Sequence, residues 1–472
     1  MASSTKIESL QSEQTEFKKG LGLFDATTLV AGSMIGSGVF VVASGMMRSP
    51  DPAHGIWGVP YPGLMLLVWV ICGVITLLGA LSHAELAASM PKAGGPYVFL
   101  REAFGSFWAF LYGWTLFFAI QTGTIAGVAV AFGRASYALT SHQSFATISG
   151  EVWPVRLLAV GCIVLLTIWN IFGIRKGVII QNFFTVLKVG AIVALIALAF
   201  RSPQVDPGTT VWPTTIDWSI LVPGFAAAMI GALWAYDAWV NVLFAGEEVK
   251  NAKRTLPLAL ILGTSITAIV YCLCNYVYVR VLPVANIQHL HGAIVGIEAA
   301  RVMMGGRGAL FITAAIACST FGCMNGIVLL GPRAFYAMAK DRLFFHQMAK
   351  IHPVYQTPAV ALAIQMVWSV LLVVLPGQTY DKLFTYVEFS AFLFYGITVV
   401  GLFVLRHKYP DLPRPFRVPT LIPVVYFVAV TFFLVYTVKT QPKESLMGLV
   451  LVLVGAVVYL FIGKKVAEKG VY

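Results

Sequence analysis

The stretch FDATTLVAGSMIGSGVFVV, at positions Phe24–Val42, decides how this chain folds. It is long and apolar enough to cross a bilayer as a helix, yet Gly36 and Gly38 flank Ser37 within one turn. Each glycine costs roughly 1 kcal/mol of helix stability relative to alanine. A backbone group that is freed within hydrocarbon costs more still, unless another group binds it. A helix break at this depth therefore predicts a ligand or a water-filled cavity beside it.

The composition around this stretch is that of an integral membrane protein. Of the 472 residues, 58% are hydrophobic and 11% are charged, whereas soluble domains carry about 25% charged residues. The apolar residues fall into blocks of the length that crosses hydrocarbon as a helix, about 20 residues. They predict an all-α membrane protein with twelve spans, at approximately residues 23–46, 60–89, 104–135, 155–173, 178–200, 219–245, 256–281, 307–338, 358–375, 383–406, 419–438 and 443–462.

The net charge of +12 sets the orientation of the chain and does not indicate a nucleic-acid partner. If the N-terminus is cytoplasmic, the basic clusters all fall on one side of the membrane, as the positive-inside rule requires. These clusters are Lys18-Lys19, Arg175-Lys176, Lys250–Arg254, Arg333–Arg342, Arg406–Arg417 and Lys464-Lys465. The pattern predicts cytoplasmic tails at residues 1–20 and 463–472.

No pattern in the sequence indicates an enzyme. A Walker-type phosphate-binding loop is absent, and no Ser/His/Asp or zinc-ligand spacing stands out. The six cysteines all fall within predicted spans, where they read as small core residues rather than as disulfide partners or metal ligands. We therefore expect no cofactor and no metal.

The sixth span carries a second irregularity, GALWAYD at Gly231–Asp237, at mid-depth and ending in an acid. It follows the first irregular span by five spans, and because five is odd, the second half of the chain enters the membrane from the opposite side. Paired interrupted spans in inverted halves mark the central site of a transporter. We therefore predict two inverted repeats, residues 21–200 and 219–406, followed by two further helices at 419–462.

The two breaks suit different parts of one ligand. A half-helix that begins near Gly36-Ser37-Gly38 presents free N–H groups and a positive dipole end to an anion, such as a carboxylate. Unwound carbonyls at Trp234, Ala235 and Asp237 would accept hydrogen bonds from an ammonium group. Together they describe an α-amino acid. The alternative for the first break is close helix packing through small residues.

Two side chains of the second break have competing interpretations. Trp234 is large and flat, so it would cap the substrate as a gate, or it is an aromatic packed in the bundle. Asp237 is an ionisable group inside a span, which is functional by default. It would attract a cationic side chain, relay a proton or orient the unwound backbone, or it would cap the second half-helix.

Other polar residues within the spans are weaker candidates. Lys188 lies about ten residues into span 5, or about 15 Å deep. It would replace a bound cation or carry a proton, or simply line a wet crevice. Glu388 would relay protons, and Asn325 would face the site or join two helices by a hydrogen bond. Glu85 suggests a solvated ion pair with Lys92.

Four motifs together resemble the amino acid–polyamine–organocation (APC) superfamily of permeases. Gly36–Phe40 is similar to the GSGIF signature of the first span, and Pro91–Tyr97 to the loop after span 2. WAYDAW at Trp234–Trp239, with the following Glu247–Asn251, resembles the span 6 motif and its exit loop. Leu405–Phe416 matches the loop after span 10. The resemblance is nearest to the L-amino-acid transporter (LAT) branch and its bacterial homologues.

That resemblance implies a LeuT-type fold, with a 5+5 inverted repeat, discontinuous helices 1 and 6, and two C-terminal helices. It implies alternating access for an amino acid, with Trp234 as the external gate. Lys188 matches the lysine that stands where sodium-driven relatives bind an ion, so the resemblance implies sodium independence. The implied substrate-binding residues are Met34, Gly36, Ser37, Gly38, Trp234, Ala235 and Asp237.

The chain departs from the family pattern at two points. Ala238 replaces the usual glycine before Trp239, which leaves the size of the substrate open. The loop between spans 3 and 4 lacks the cysteine that animal members use to bind a heavy chain. We therefore expect no disulfide-linked heavy chain, and a bacterial inner membrane as the location.

The sequence thus predicts a sodium-independent amino-acid transporter, either an exchanger or a proton-coupled carrier, for neutral L-amino acids. A cationic amino-acid or polyamine carrier is the alternative, if Asp237 faces the substrate side chain. A membrane amino-acid sensor fits less well because no output domain is apparent, and a channel would need a continuous pore. The expected partners are the amino acid and the lipid bilayer.

Overall fold

The computed structural model describes residues 7–8, 10, 15–51, 56–141, 143, 145–205, 208–290, 294–375 and 380–467, without the side chains of 146, 380–385 and 462–467. Over these ranges the chain is helical, and β-structure is limited to isolated bridges such as that of Leu21 with Val249. A helix satisfies its own backbone hydrogen bonds, which hydrocarbon requires. The predicted all-α class is confirmed.

The longer helices follow the predicted blocks closely and are separated by short helices in the connections. In chain order they are α1 Leu23–Met34, α2 Gly38–Met46, α3 Pro62–Ser89, α4 Pro96–Phe104, α5 Ser106–Thr115, α6 Thr122–Ser141, α7 Trp153–Ile171, α8 Ile174–Arg201, α9 Trp218–Tyr236, α10 Ala252–Val281, α11 Val284–His289, α12 Val295–Met304, α13 Gly306–Leu330, α14 Pro332–Lys340, α15 Ala359–Val374, α16 Tyr380–Lys408, α17 Leu421–Thr440 and α18 Pro442–Ala467.

Eleven helical segments in the described ranges are long and apolar enough to cross a membrane. The predicted span at 358–375 corresponds to α15, an apolar helix of 16 residues that is shorter than the other eleven. Predicted span 1 consists of α1 and α2, and predicted span 8 continues from α13 into α14. The structure thus gives eleven long spans and one short apolar helix.

The third span contains a stretch that was predicted as continuous helix. Between α5 and α6, residues Leu116–Gln121 form a π-helix, a rare form that is often found at functional sites. The hydroxyl of Thr122 donates to the carbonyl of Phe117, 2.5 Å away. This wider turn lies directly before α6, whose first residues, including Thr122 and Gly123, are buried.

The broken helices lie at the centre of the bundle. α1 packs against α8, α10 and α13, and α9 packs against α2 and α3. α17 and α18 lie at the edge and leave large apolar side chains such as Val428 and Leu460 exposed, as expected of helices that face lipid. The interrupted segments are therefore enclosed by continuous helices.

Candidate functional site

The first predicted break is present in the structure. α1 ends at Met34, Ile35 adopts an extended conformation (φ −75°, ψ 91°), and α2 begins at Gly38. In the described part of the chain, no side chain caps the start of α2. The first N–H groups of a helix have no partner within it. This end of α2 therefore retains donors for a ligand.

Side chains from two neighbouring helices bind the carbonyls freed by the first break. The Nζ of Lys188, on α8, lies 2.5 Å from the carbonyl oxygen of Gly32 and 2.6 Å from that of Ile35. The hydroxyl of Ser319, on α13, donates to the carbonyls of Ile35 and Gly36, each at 3.0 Å. These contacts satisfy the backbone groups that would otherwise be costly in hydrocarbon.

Lys188 places a fixed cation beside the first break. The residue is 1% exposed, and its Nζ lies 3.4 Å from a third carbonyl oxygen, that of Ser319. Three carbonyl dipoles directed at one ammonium offset part of its desolvation cost. The interpretation of Lys188 as a lysine in a wet crevice does not fit this enclosed set of partners.

The second break lies at Asp237 and Ala238. α9 ends at Tyr236, Asp237 is extended, and Ala238 adopts the left-handed conformation (φ 72°, ψ 0°) before a 3₁₀-helix at Trp239–Phe244. A left-handed conformation costs an L-residue with a Cβ atom roughly 1–2 kcal/mol. The departure from glycine at this position therefore carries a backbone cost.

The two breaks are in direct contact. A Cβ atom at Gly38 would lie 2.7 Å from the Cβ of Ala235 and 3.1 Å from the ring of Trp234, so only glycine permits this approach. The hydroxyl of Tyr271, on α10, lies 2.9 Å from the carbonyl of Met34 and 3.1 Å from that of Ala235. One phenol thus bridges the two interrupted helices.

A small cavity of about 30 Å³ lies where the two breaks meet. All seven predicted substrate-binding residues line it, Trp234 being half-buried. The structure adds further lining residues from α1, α6, α13 and the second break: Ser33, Thr124, Val128, Ala238, Cys323 and Ile327. The walls are backbone, small side chains and apolar surface, with one carboxylate.

Two of the three predicted ammonium acceptors already accept one hydrogen bond each. The carbonyl of Trp234 accepts from the backbone N–H of Asp237 at 3.2 Å, and that of Ala235 accepts from Tyr271. Each carbonyl oxygen has a second lone pair for a further donor. The carboxylate of Asp237 accepts from the hydroxyl of Tyr395, on α16, at 2.8 Å.

Asn325 does not line this cavity. Its amide donates to the carbonyl of Gly177 at 3.0 Å and to the Oε1 of Gln181 at 2.9 Å, and it accepts from Asn170 at 3.2 Å. These partners lie on α7 and α8. The helix–helix hydrogen bond, which was the alternative interpretation, therefore describes Asn325.

The two glutamates singled out in the sequence also lie outside the cavity. Glu388, on α16, is 1% exposed. Glu85 is bound by Arg406 at 2.6 Å and lies 3.7 Å from Arg414, where the sequence favoured Lys92. With an exposed fraction of 1% for its side chain, Glu85 belongs to a buried ion pair, not a solvated one.

The segment before α1 crosses the end of the bundle where α14 ends. Glu16 binds Lys340 at 2.6 Å and accepts from the hydroxyl of Tyr336 at 2.9 Å. The hydrogen bond from Lys340 lowers the pKa of the Glu16 carboxyl, so this contact persists on mild acidification. Nearby, Glu248 and Arg333 form a buried ion pair at 2.6 Å. These contacts tie the segment before α1 to α14, beside an open pocket of about 480 Å³ that Glu16, Tyr336 and Lys340 help to line.

Four contact residues escaped the sequence analysis: Tyr271, Ser319, Cys323 and Tyr395. Each is a hydroxyl or thiol on an otherwise regular span. The thiol of Cys323 donates to the carbonyl of Ser33 at 2.9 Å. Such residues occur throughout membrane helices, and only their position in space distinguishes them. The glycines of the first break gave the one signal that pointed toward them.

Comparison with known proteins decides the family. The family model described as "Amino acid permease" matches residues 21–458, nearly the whole chain. The chain belongs to the amino acid permease family. The mouse large neutral amino acids transporter small subunit 2 is 32% identical over 451 residues, which cover 94% of this chain and 81% of that protein.

Two further relatives match almost end to end. The mouse b(0,+)-type amino acid transporter 1 is 28% identical over 460 residues, covering 96% of this chain and 90% of its own length. The serine/threonine exchanger SteT of Bacillus subtilis is 29% identical over 463 residues, covering 97% of this chain and 100% of its own. The predicted resemblance to APC permeases is confirmed, and the relatives are transporters rather than enzymes.

Proposed function

We propose that this permease is a sodium-independent amino-acid transporter that works by alternating access. The observation that carries the proposal is the contact of two interrupted helices around one cavity, with Gly38 against Ala235. A transporter that changes access needs a central site whose walls belong to elements able to move apart. A channel would instead need a continuous pore.

The cavity suits the charged groups that all α-amino acids share. The carboxylate is bound at the start of α2, by the N–H groups around Gly36 and Gly38 and by the hydroxyl of Ser37. The ammonium group is bound by the carbonyls of Trp234, Ala235 and Asp237. Met34 lines the cavity at the end of α1. Trp234, which is half-buried, is the external gate.

Lys188 makes a bound sodium ion unnecessary. Its ammonium group occupies the position between α1 and α13 where a metal cation would be coordinated by the same carbonyls. A fixed positive charge at this point stabilises the unwound backbone and adds to the positive end of α2. The coupling of transport to sodium is therefore absent.

The architecture proposed for the permease has twelve spans, with the short helix α15 as the ninth. Residues 21–200 and 219–406 form two inverted repeats of the LeuT type, and residues 419–462 form two further spans. The basic clusters place residues 1–20 and 463–472 in the cytoplasm. We propose a bacterial inner membrane as the location, and no disulfide-linked heavy chain.

Neutral L-amino acids fit the lining best, because small and apolar side chains dominate it. The names of two relatives, a large neutral amino acids transporter and a serine/threonine exchanger, support this class. A cationic amino acid is the second candidate, since the carboxylate of Asp237 lies in the wall. The hydrogen bond from Tyr395 to that carboxylate favours the neutral class, because it occupies one of its acceptor sites.

Uptake by the purified permease in liposomes tests the proposal. A panel of labelled neutral and cationic amino acids is offered with and without sodium, a pH gradient and internal substrate. We expect uptake of a neutral amino acid that is stimulated by internal substrate and unchanged by sodium. A strict requirement for sodium would contradict the role of Lys188, and no uptake of any amino acid would contradict the proposal as a whole.

A further inference from the structure

Glu388 is a buried acid that the proposed site does not use. It lies on α16, is 1% exposed, and neither carboxylate oxygen has a hydrogen-bond partner among the residues that the structure describes. An ionised carboxylate in such surroundings is very costly, whereas the neutral acid is tolerated.

Other buried polar atoms around Glu388 share this lack of partners. Over the described ranges they are the hydroxyls of Tyr112 and Tyr426 and the Nε2 of His83. Buried polar atoms in native proteins are almost always hydrogen-bonded. Several such atoms in one region leave polar groups there that are able to exchange protons.

The titratable groups near Glu388 and Tyr395 come from four neighbouring helices and from α16 itself. Asp237, at the end of α9, and Tyr426, on α17, interact electrostatically with it. Tyr395 lies two turns further along α16 and interacts with it as well. Three other helices also pack against α16. Gly448 on α18 contacts Ser390, and Gly123 on α6 contacts Val387. α4 contacts α16 near Lys408, at the opposite end from Glu388. The remaining groups of this region are Tyr112 on α5 and His83 on α3.

These groups form a line along the bundle that meets the wall of the substrate cavity at Asp237. From Glu388 the line runs about 10 Å along α16, at 1.5 Å per residue, to Tyr395. Tyr395 donates to Asp237, and its ring lies 5.9 Å from the imidazole of His83.

Beyond His83 the line continues to the end of the bundle. The Nδ1 of His83 is 2.9 Å from the carbonyl of Gly79, beside which the hydroxyl of Tyr426 also lies. Glu85 follows two residues later and binds Arg406 at 2.6 Å. With the topology proposed above, the line leads from the external half of the membrane to its cytoplasmic side.

We propose that Glu388 is a proton-binding site, linked to the substrate cavity through Tyr395 and Asp237, that couples inward proton movement to amino-acid transport. This inference rests on the proposed transport function and adds a coupling ion to it.

Electrostatics explains why the substrate would release the proton. Two acids that interact in a low-dielectric region cannot both be ionised at low cost. The ammonium group of an amino acid at the carbonyls of the second break adds a positive charge beside Asp237. That charge makes it easier for Glu388 to ionise as well.

The proton balance involves no further reactant. The O–H bond of Glu388 breaks, and its proton passes to water on the cytoplasmic side by way of Tyr395, Asp237 and His83. After the substrate leaves, Glu388 takes one proton from external water and is neutral again. Each cycle of Glu388 therefore moves one proton from external water to the cytoplasmic side.

Proteoliposomes containing a pH-sensitive dye test this inference. For the wild type, addition of the transported amino acid should acidify the interior. E388Q should still exchange internal for external amino acid. Its acidification per amino acid taken up should be at least tenfold smaller than that of the wild type. The matched control E151Q, at an exposed carboxylate, should acidify as the wild type does.

The outcomes separate the two proposals. Wild-type protein that exchanges amino acids without moving protons, or E388Q that acidifies normally, would overturn the proton site and leave the transport function standing. Wild-type protein without any amino-acid exchange would overturn the proposed function itself.

A spectroscopic measurement on the wild type avoids reliance on the folding of one variant. Infrared difference spectra should show loss of the carbonyl band of a buried protonated acid when the amino acid binds. E388Q should lack this band, and the conservative E388D should restore it. An unchanged spectrum in this region on binding would overturn the inference.

Discussion

The two helix breaks differ in how firmly the surrounding helices hold them. At the first break, Lys188, Ser319, Cys323 and Tyr271 bind backbone carbonyls between Gly32 and Gly36. At the second break, the hydroxyl of Tyr271 binds the carbonyl of Ala235, and the hydroxyl of Tyr395 binds the carboxylate of Asp237.

This difference indicates how the permease would change access. Breaking the contacts of the first break costs several hydrogen bonds, one of which involves a charged donor. The second break turns through Ala238, in a strained left-handed conformation, and its position depends on fewer fixed contacts. We therefore expect α1 to stay with α8 and α13 while the second break moves.

The contact between the two breaks should be the most sensitive point. Gly38→Ala places a methyl group 2.7 Å from the Cβ of Ala235, which neither helix can relieve without moving apart. We expect transport to fall by about two orders of magnitude, corresponding to about 3 kcal/mol, in a counterflow assay. Gly45→Ala on the same helix is the control, because its Cβ meets nothing within 4 Å. Equal activity of the two variants would contradict the contact.

Removal of the ammonium group of Lys188 from the first break should have the second-largest effect on transport. Lys188→Met keeps the length of the side chain but leaves the carbonyls of Gly32 and Ile35 without their donor. A buried group left unpaired costs about 1–3 kcal/mol, so we expect transport to fall at least tenfold and thermal stability to decrease. The control Lys176→Met changes an exposed lysine. Full activity of Lys188→Met would refute the anchoring role.

Removal of the Tyr271 hydroxyl, which bridges the two breaks, should have a moderate effect on the rate of transport. Tyr271→Phe removes the hydroxyl that binds both Met34 and Ala235, at a cost of about 1 kcal/mol for a hydrogen bond. We expect transport to slow several-fold, with a smaller loss of stability than Lys188→Met causes. Tyr276→Phe, at a tyrosine that is 38% exposed, is the control. An unchanged rate for Tyr271→Phe would show that the bridge does not couple the two breaks.

Relief of the backbone strain at Ala238 should have the smallest effect, and it should increase the stability of the protein. Ala238→Gly relieves the left-handed conformation and should stabilise the protein by about 1 kcal/mol. The midpoint of thermal unfolding in detergent should therefore rise. A fall in the midpoint would mean that packing of the Ala238 methyl group outweighs the backbone strain.

The sequence was sufficient for the class of fold and for the positions of the two helix breaks. Long apolar blocks fix helices in hydrocarbon because no other open structure satisfies the backbone. Gly36 and Gly38 marked the first break because glycine is costly in a helix. The acid at Asp237 marked the second, and every predicted substrate-binding residue lines the cavity where the breaks meet.

The remaining features depend on contacts between distant parts of the chain. Tyr271, Ser319 and Cys323 are unremarkable in sequence, and only the packing of α10 and α13 brings them to the first break. Glu85 was assigned a nearby partner, Lys92, but Arg406 on a distant helix supplies the actual one. The sequence also left open which helices Asn325 joins, and the structure gives α7 and α8. Spacing along a chain does not encode which helices become neighbours.

Competition with analogues of the substrate tests most directly whether the two breaks bind the two charged groups of an amino acid. Counterflow of the transported amino acid is measured against the same amino acid, against the amine that lacks its carboxylate, and against the acid that lacks its ammonium group. We expect strong inhibition by the amino acid alone, with each analogue at least a hundredfold weaker. Inhibition by either analogue at the level of the amino acid would contradict the assignment of carboxylate and ammonium to the two breaks.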